Sequence, residues 1–304
     1  MANSSPPTRA GKPKIFAVIP ARNEEQTVGI VVKETLRYVD NVLVVDDASS
    51  DHTGVTARSC GAIVTRRNIC QGIGAAVSTG LCKALELGAN IIVTLDADGQ
   101  HDPQEIPNLI APILSGEADL VLGSRFLGSM ENPDSVKVFG NRLFTFIVKR
   151  MTRVKLTDTQ SGFRAFTQKS VNSSYFSPFT YTQEMIIRAA KDGFRIKEVP
   201  VHINRRRVGN SRVVSNPIIY GFKALKIILK EFTKYYPLFV YGSLGLIILT
   251  LGLLASLFYI GNFEPFLNQI YYNFNSTLVS GIIILLVNII GTALIIKGVR
   301  LQIK

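Results

Sequence analysis

The chain has 304 residues, with 34 Lys+Arg against 22 Asp+Glu for a net charge of +12, and a mean hydropathy of +0.24. Positive hydropathy excludes an intrinsically disordered chain, which lacks the apolar surface to fold. A basic chain that is also apolar on average is a poor nucleic-acid binder. It predicts a soluble part joined to a greasy part, with the positive charge set for an anionic surface or ligand.

Residues 1–13 are basic and Pro/Ser-rich without an apolar run, and are expected as a flexible tail. From Lys14 the pattern becomes α/β. Ile15–Ile19 reads as a buried strand, Glu24 to Tyr38 as a helix, and Val42–Val45 as a second buried strand. Asp51 is placed to cap a helix running through Ala57. Ala62–Thr65, Ile91–Leu95 and Leu120–Leu122 read as further strands, with helices over Ile73–Leu87 and Pro103–Leu114. Strands alternating with helices imply parallel pairing, and ligands then bind beyond the carboxyl ends of the strands. Those ends carry Pro20–Glu24, Asp46-Asp47, Asp96-Ala97-Asp98 and Gly123-Ser124-Arg125, so polar chemistry is expected along one sheet edge. Cys60, Cys70 and Cys82 are odd in number and form no CxxC pair, which suits a reducing compartment and no metal cluster.

Beyond residue 200 the composition changes. Residues 200–236 hold eight basic residues against Glu231, residues 237–296 hold no Lys or Arg and only Glu264, and Lys297, Arg300 and Lys304 follow. Ile218, Ile219, Phe222, Leu225, Ile228, Leu229 and Phe232 interleave with Lys223, Lys226, Lys230 and Lys234, so residues 216–236 read as an amphipathic helix at a bilayer surface, the alternative being a core-packing helix. The uncharged region holds two apolar runs, about 238–260 and 278–296. Each is long enough to cross a ~30 Å hydrocarbon layer at about 1.5 Å per residue. The basic flanks predict both termini in the cytoplasm, with a short external loop that includes the sequon at Asn275.

Asp96-Ala97-Asp98-Gly99-Gln100 follows an apolar strand and sets two carboxylates and an amide oxygen at alternate positions. Hard oxygen donors of this kind suit Mg²⁺ or Mn²⁺ holding substrate phosphates, the plain alternative being a solvated acidic turn. Asp47 closes the second strand beside Asp46 and is a candidate for ribose or base contacts. Gly72-Ile73-Gly74-Ala75-Ala76 lacks the last glycine of a dinucleotide fingerprint and reads as a helix start packed near the sheet. His101 reads as a hydrogen-bonded loop residue rather than a metal ligand.

Taken in order, Ile19-Pro20-Ala21-Arg22-Asn23-Glu24-Glu25, Val44–Asp51, Gly72–Ala76, Asp96–Pro103, Gly123-Ser124-Arg125 and Asp158-Thr159-Gln160-Ser161-Gly162-Phe163-Arg164 resemble the family 2 glycosyltransferases of GT-A fold. Within them the chain is similar to the dolichyl-phosphate mannosyltransferase, or polyprenyl-phosphate hexosyltransferase, branch. The match covers about residues 14–215. The resemblance implies a nucleotide pocket lined by Pro20, Arg22, Glu24, Val45 and Asp47, a metal held by Asp96, Asp98 and Gln100 with Ala97 beside the sugar nucleotide, and Arg125 on a phosphate. Arg206-Arg207-Val208-Gly209-Asn210-Ser211-Arg212 matches the family's R-x-x-G-x-S-K, which implies that Arg206 and Arg212 contact donor or acceptor phosphates. Two positions depart from the pattern: Arg22 stands where the mannosyl enzymes commonly carry an aromatic, and Arg212 stands for Lys. The expected partners are a nucleotide sugar, a dolichyl-type phosphate and the bilayer, with mannose the favoured sugar and UDP-glucose an alternative donor. A polysaccharide synthase is disfavoured because the chain has no Trp for a Gln-x-x-Arg-Trp motif. A silent membrane adaptor is disfavoured by the intact acidic site.

Overall fold

The computed structural model describes residues 12–131, 135–171, 181–206, 225–226, 229–261 and 270–303. The chain divides into two units, residues 1–228 and 229–304.

The first unit is built on β1 (Ile15–Ala21), α1 (Val28–Thr35), β2 (Asn41–Asp46), α2 (Thr53–Ser59), β3 (Ile63–Arg66), α3 (Ile73–Glu86), β4 (Ile91–Thr94), α4 (Ile106–Leu114), β5 (Leu120–Met130), α5 (Ser135–Thr152), β6 (Arg164–Thr167), α6 (Tyr181–Lys191) and β7 (Ile196–Ile203). The seven strands form one sheet in the order β3-β2-β1-β4-β6-β5-β7. All neighbours pair in parallel except β6, which runs antiparallel to both β4 and β5. The sheet is therefore α/β and mostly parallel, as the alternation of apolar runs predicts. β6 is a four-residue strand, too short to carry a pattern of its own. β5 runs to Met130, well past the predicted Leu122, and shifts register against β7 between Ser124 and Ser129.

Burial explains the strands. Ala17, Val18, Ile19, Leu43, Val44, Val45, Ile92 and Val93 have no more than about 1 % exposure, as strands covered on both faces must. α3 lies closely on this sheet: a Cβ at Gly80 would stand 2.3 Å from Val18 Cγ1 and 3.0 Å from Val45 Cγ2. The chain turns to β2 on one side of β1 and later to β4 on the other. The strand order thus reverses between β1 and β4, where an α/β sheet opens a crevice at its carboxyl edge.

The second unit carries α7 (Pro237–Gly261) and α8 (Ile270–Ile303), both longer than the apolar runs that announced them. Windows Pro237–Phe258 and Gly281–Gln302 are long and apolar enough to span a membrane, and only 11 % of each is buried. A soluble core helix would be mostly buried, so the pair is a candidate transmembrane hairpin. Its helices approach through glycine. A Cβ at Gly245 would meet Gly291 O at 2.6 Å, and one at Gly252 would meet Asn288 Oδ1 at 2.5 Å. Of the predicted interfacial helix 216–236, residues 225–226 and 229–235 are helical, Tyr236 follows them as a non-helical residue, and 216–224 and 227–228 lie outside the described residues.

Candidate active site

Two clusters line the carboxyl edge of the sheet, one after β1 and β4 and the other after β2. The first gathers Glu24, Asp96, Asp98, Gln100 and Arg206. Arg206 Nη1 lies 3.3 Å from Asp98 Oδ2 while its Nη2 bonds Glu24 Oε1, so one guanidinium bridges two carboxylates. Asp98 also accepts from the Gln100 backbone N–H at 3.0 Å, which folds the DxDxQ turn onto itself. The Gln100 side-chain amide donates to Asn204 O, and Asn204 N–H donates back to Gln100 O. This exchange fixes the segment that delivers Arg206.

The electrostatics are those of crowded acids. The Asp96 side chain is 35 % exposed, yet the protein around it is dense enough that burial pushes its pKa up to about 6. Arg125 and Arg206 pull the other way and Glu24 adds to the rise. Burial and then Asp96 itself raise Asp98. His101 is buried and stacks on Phe163 with ring centroids 5.0 Å apart. Its Nδ1 accepts the Asp96 backbone N–H at 3.0 Å, so it is a neutral imidazole, and burial holds it down to about 4. It steadies the acidic turn, as a hydrogen-bonded loop histidine does.

The loop after α5 closes over this cluster. Thr94 Oγ1 donates to Gly162 O at 2.7 Å, and a Cβ at Gly162 would stand 3.4 Å from Asp96 Oδ1. Arg164, with no exposed surface, donates to Ser161 O, Thr159 O and Thr182 O and so clamps the loop to the start of α6. Asp158 has no exposed surface either. It takes Arg125 Nε at 2.6 Å and Nη2 at 2.9 Å, the Arg125 backbone N–H, Asn141 Nδ2 and the Gln160 backbone N–H. Burial raises its pKa, but these five donors outweigh it and hold the carboxylate below its usual range. Arg125 is thus aimed by Asp158. Glu198 on β7 in turn accepts the backbone N–H groups of Thr157 and Asp158. Asn141 and Glu198 were invisible in the sequence, where nothing marks side chains 17 and 40 residues from Asp158 as its neighbours.

The second cluster surrounds Asp47, which is 4 % exposed. Its carboxylate accepts from Cys70 Sγ at 3.2 Å and from the Gly72 N–H at 3.2 Å, and lies 3.5 Å from Arg67 Nη1. Arg22 Nη1 donates to Cys70 Sγ at 2.9 Å, joining β1's end to β2's. Asp46 faces elsewhere and is structural: it bonds the Ser49 N–H and pairs with Arg66 at 3.1 Å. Asn23 and Ala48 hold left-handed backbone, with φ of 52° and 56°. A non-glycine residue keeps that conformation only where its surroundings fix it, and here the Asn23 side chain accepts from the Ser50 N–H. Asp51 accepts the N–H of Thr53 at the start of α2.

Pro20 pairs with Val45 across β1 and β2, but Val45 has no exposed surface. Its side chain packs at α3 and its backbone lies between β1 and β3, so the residue presents no surface to the edge. Ala97 is likewise in the core at 3 % exposure. Arg212 lies outside the described residues.

This edge coincides with the portion of the chain that related sequences share. Residues 16–174 match the family described as Glycosyl transferase family 2. The chain belongs to that family. It is 35 % identical over 233 residues to a UDP-N-acetylglucosamine--dolichyl-phosphate N-acetylglucosaminyltransferase of Methanococcus voltae, covering 69 % of this chain and 92 % of that one. It is 33 % identical over 217 residues to an undecaprenyl-phosphate mannosyltransferase of Micrococcus luteus, covering 66 % and 87 %. Among solved structures it is similar to glucosyl-3-phosphoglycerate synthase of Mycobacterium tuberculosis in complex with Mn²⁺, uridine diphosphate and glucosyl-3-phosphoglycerate. The TM-score is 0.58 at 22 % identity, over 72 % of this chain and 80 % of that one. The protein is a family 2 glycosyltransferase of GT-A-like fold.

The acidic turn fits a divalent metal on its own chemistry. Asp96 and Asp98 both sit above the ordinary carboxylate range because burial penalises their charges, Glu24 adding to the rise of Asp96 and Asp96 to that of Asp98. Among the described residues no three His, Cys, Asp or Glu side chains are set to hold a metal ion by themselves. Two carboxylates and an amide oxygen, with the remaining shell left to water and a diphosphate, is the donor set that Mg²⁺ and Mn²⁺ take in phosphate-handling sites.

Proposed function

We propose that this family 2 glycosyltransferase moves a hexose, mannose in the first instance, from a nucleotide sugar to a polyprenyl (dolichyl-type) phosphate at the cytoplasmic face of a membrane. The observation that carries the reading is one guanidinium, that of Arg206, set between Glu24 and Asp98 at the crevice of a chain that ends in two membrane-length helices. Relatives named for transfer to dolichyl phosphate and undecaprenyl phosphate support the acceptor class. The relative named for UDP-N-acetylglucosamine favours a second reading, in which the donor is a uridine nucleotide carrying an N-acetylhexosamine.

The acceptor dictates which groups the site requires. A phosphate monoester is already anionic near neutral pH, so no strong general base is needed to make it a nucleophile. A lipid phosphate oxygen attacks the anomeric carbon, the bond to the diphosphate oxygen breaks, and the nucleoside diphosphate departs with the electron pair. In-line attack inverts the anomeric centre. Asp96, Asp98 and Gln100 would hold a divalent metal, which would supply positive charge for the departing diphosphate. Pro20, Arg22, Glu24 and Asp47 bind the nucleotide above the buried Val45, and Ala97 bounds the site beside the sugar. Arg125, held in the fork of Asp158, presents a planar cation suited to phosphate, and Arg206 and Arg212 complete the set. On the basic flanks of the spans, both chain ends lie in the cytoplasm.

The test is incubation of membranes containing the protein with a panel of radiolabelled nucleotide sugars, followed by lipid extraction. Label from a single donor should enter the lipid phase as an acid-labile sugar phosphate. Label in long glycans, or in no lipid with any donor, would sink the reading. Label from a uridine N-acetylhexosamine alone would select the second donor.

A further inference from the structure

α5 presents two opposed faces. Asn141, Phe144, Thr145, Val148 and Met151 are buried, and this inner face holds Asp158 through Asn141. On the outer face Phe139 is 71 % exposed, Leu143 49 % and Phe146 63 %. At about 100° per residue these three fall within about 60° of arc, opposite the buried face. Exposed large apolar side chains in one stripe are not the ordinary solvent face of a helix.

The charges along this stretch of sequence are of one sign. Residues 135–155 contain Lys137, Arg142, Lys149, Arg150, Arg153 and Lys155, and no Asp or Glu. Arg142 lies over the Phe126 ring at 5.7 Å, and the next residue, Leu127, is 50 % exposed. Apolar side chains flanked by cations, with no anion on the element, complement an anionic lipid surface: the rings enter the acyl boundary and the cations remain among the headgroups. A water-facing helix would intersperse acids, and a protein interface would deplete lysine. The chain's candidate spans put a bilayer at hand.

We propose that the outer face of α5 is a second membrane-contacting surface of this protein, distinct from the spans and from the basic segment before them, and that its partner is an anionic bilayer leaflet. This rests on the hairpin and not on the transfer chemistry. The same helix then touches lipid on one face and, through Asn141 and Asp158, sets Arg125 on the other, so that contact with the leaflet bears on the group proposed to meet the lipid phosphate.

The chain has no tryptophan, so a single one reports alone. Phe146→Trp and, separately, Leu143→Trp are made in the full-length protein and reconstituted into vesicles containing anionic lipid, with and without brominated acyl chains. Val55→Trp, at the 70 % exposed position on α2, is the reference. The expected result is blue-shifted emission from positions 143 and 146 that brominated lipid quenches several-fold more than position 55. The quenching should fall on adding Lys149→Glu and Arg150→Glu, or on replacing anionic with zwitterionic lipid. Water-like emission at both positions would overturn the proposal. So would blue-shifted emission that brominated lipid leaves unquenched, which would mean cover by a second copy, or quenching equal to that at position 55.

Discussion

Asp158→Asn tests the part of the site that the structure adds to the sequence. The carboxylate oxygens divide five donors: Oδ2 takes Arg125 Nε and N, and Oδ1 takes Arg125 Nη2, Asn141 Nδ2 and Gln160 N. An amide of the same shape must place its NH₂ on one side or the other. At least two donors then face a donor, and the guanidinium loses its counter-charge. Breaking a buried pair by neutralising one partner costs about 3–5 kcal/mol. Arg125 is 26 % exposed and water recovers part of its charge, which sets the figure near the lower end, about 3 kcal/mol. For a unit of roughly 200 residues that corresponds to a melting temperature lower by about 6–12 °C.

The pH dependence gives the sharper check. The folded carboxylate is held below its ordinary value, burial being outweighed by Arg125 and its other donors. The stabilisation is therefore complete above about pH 4, the unfolded value, and is lost as pH falls through the lower folded value. Thermal melts of the detergent-solubilised wild type and Asp158→Asn should differ at pH 7 and converge in acid. A difference at pH 7 worth less than about 1 kcal/mol, or one that persists unchanged in acid, would refute the reasoning.

Asp98→Ala removes one of two crowded carboxylates, so transfer should fall while the fold holds or gains, Asp96 being relieved of repulsion. A metal contribution of several kcal/mol makes the loss about 10²-fold or more, read as label in the lipid phase, and a fully active variant would remove the metal assignment. Gly80→Ala should destabilise by about 1–3 kcal/mol, because its Cβ would stand 2.3 Å from Val18 Cγ1 on a core strand. Gly140→Ala on α5, with nothing within 4 Å, should instead stabilise by about 1 kcal/mol. Thermal melts giving both changes the same sign would contradict the close approach of α3 to the sheet.

What could be read in the sequence was what lies close along the chain. A strand buried on both faces is a short apolar run, and a run that ends in Asp46-Asp47 or Asp96-Ala97-Asp98 declares its carboxyl end, so the polar edge of the sheet followed from linear pattern. Convergence was harder. β6 slips antiparallel between β4 and β5, and its four residues say nothing of direction. Arg125 reads alone as a cation for phosphate, but its posture comes from Asp158, and Asp158 is set by Asn141 on α5 and Glu198 on β7. Val45, assigned to the pocket by resemblance, turns its side chain to α3, because neighbouring residues of a strand face opposite ways and Asp46 and Asp47 lie beyond it. The +12 is explained in the same manner. Basic residues crowd residues 200–236 and the tail, on either side of the candidate spans, but α5 carries a further acid-free set, and only the structure shows Phe139, Leu143 and Phe146 on its outer side. A helical stripe predicts that one face is buried. It does not tell which of two apolar faces is covered, and here Phe144 went in while Phe146 stayed out.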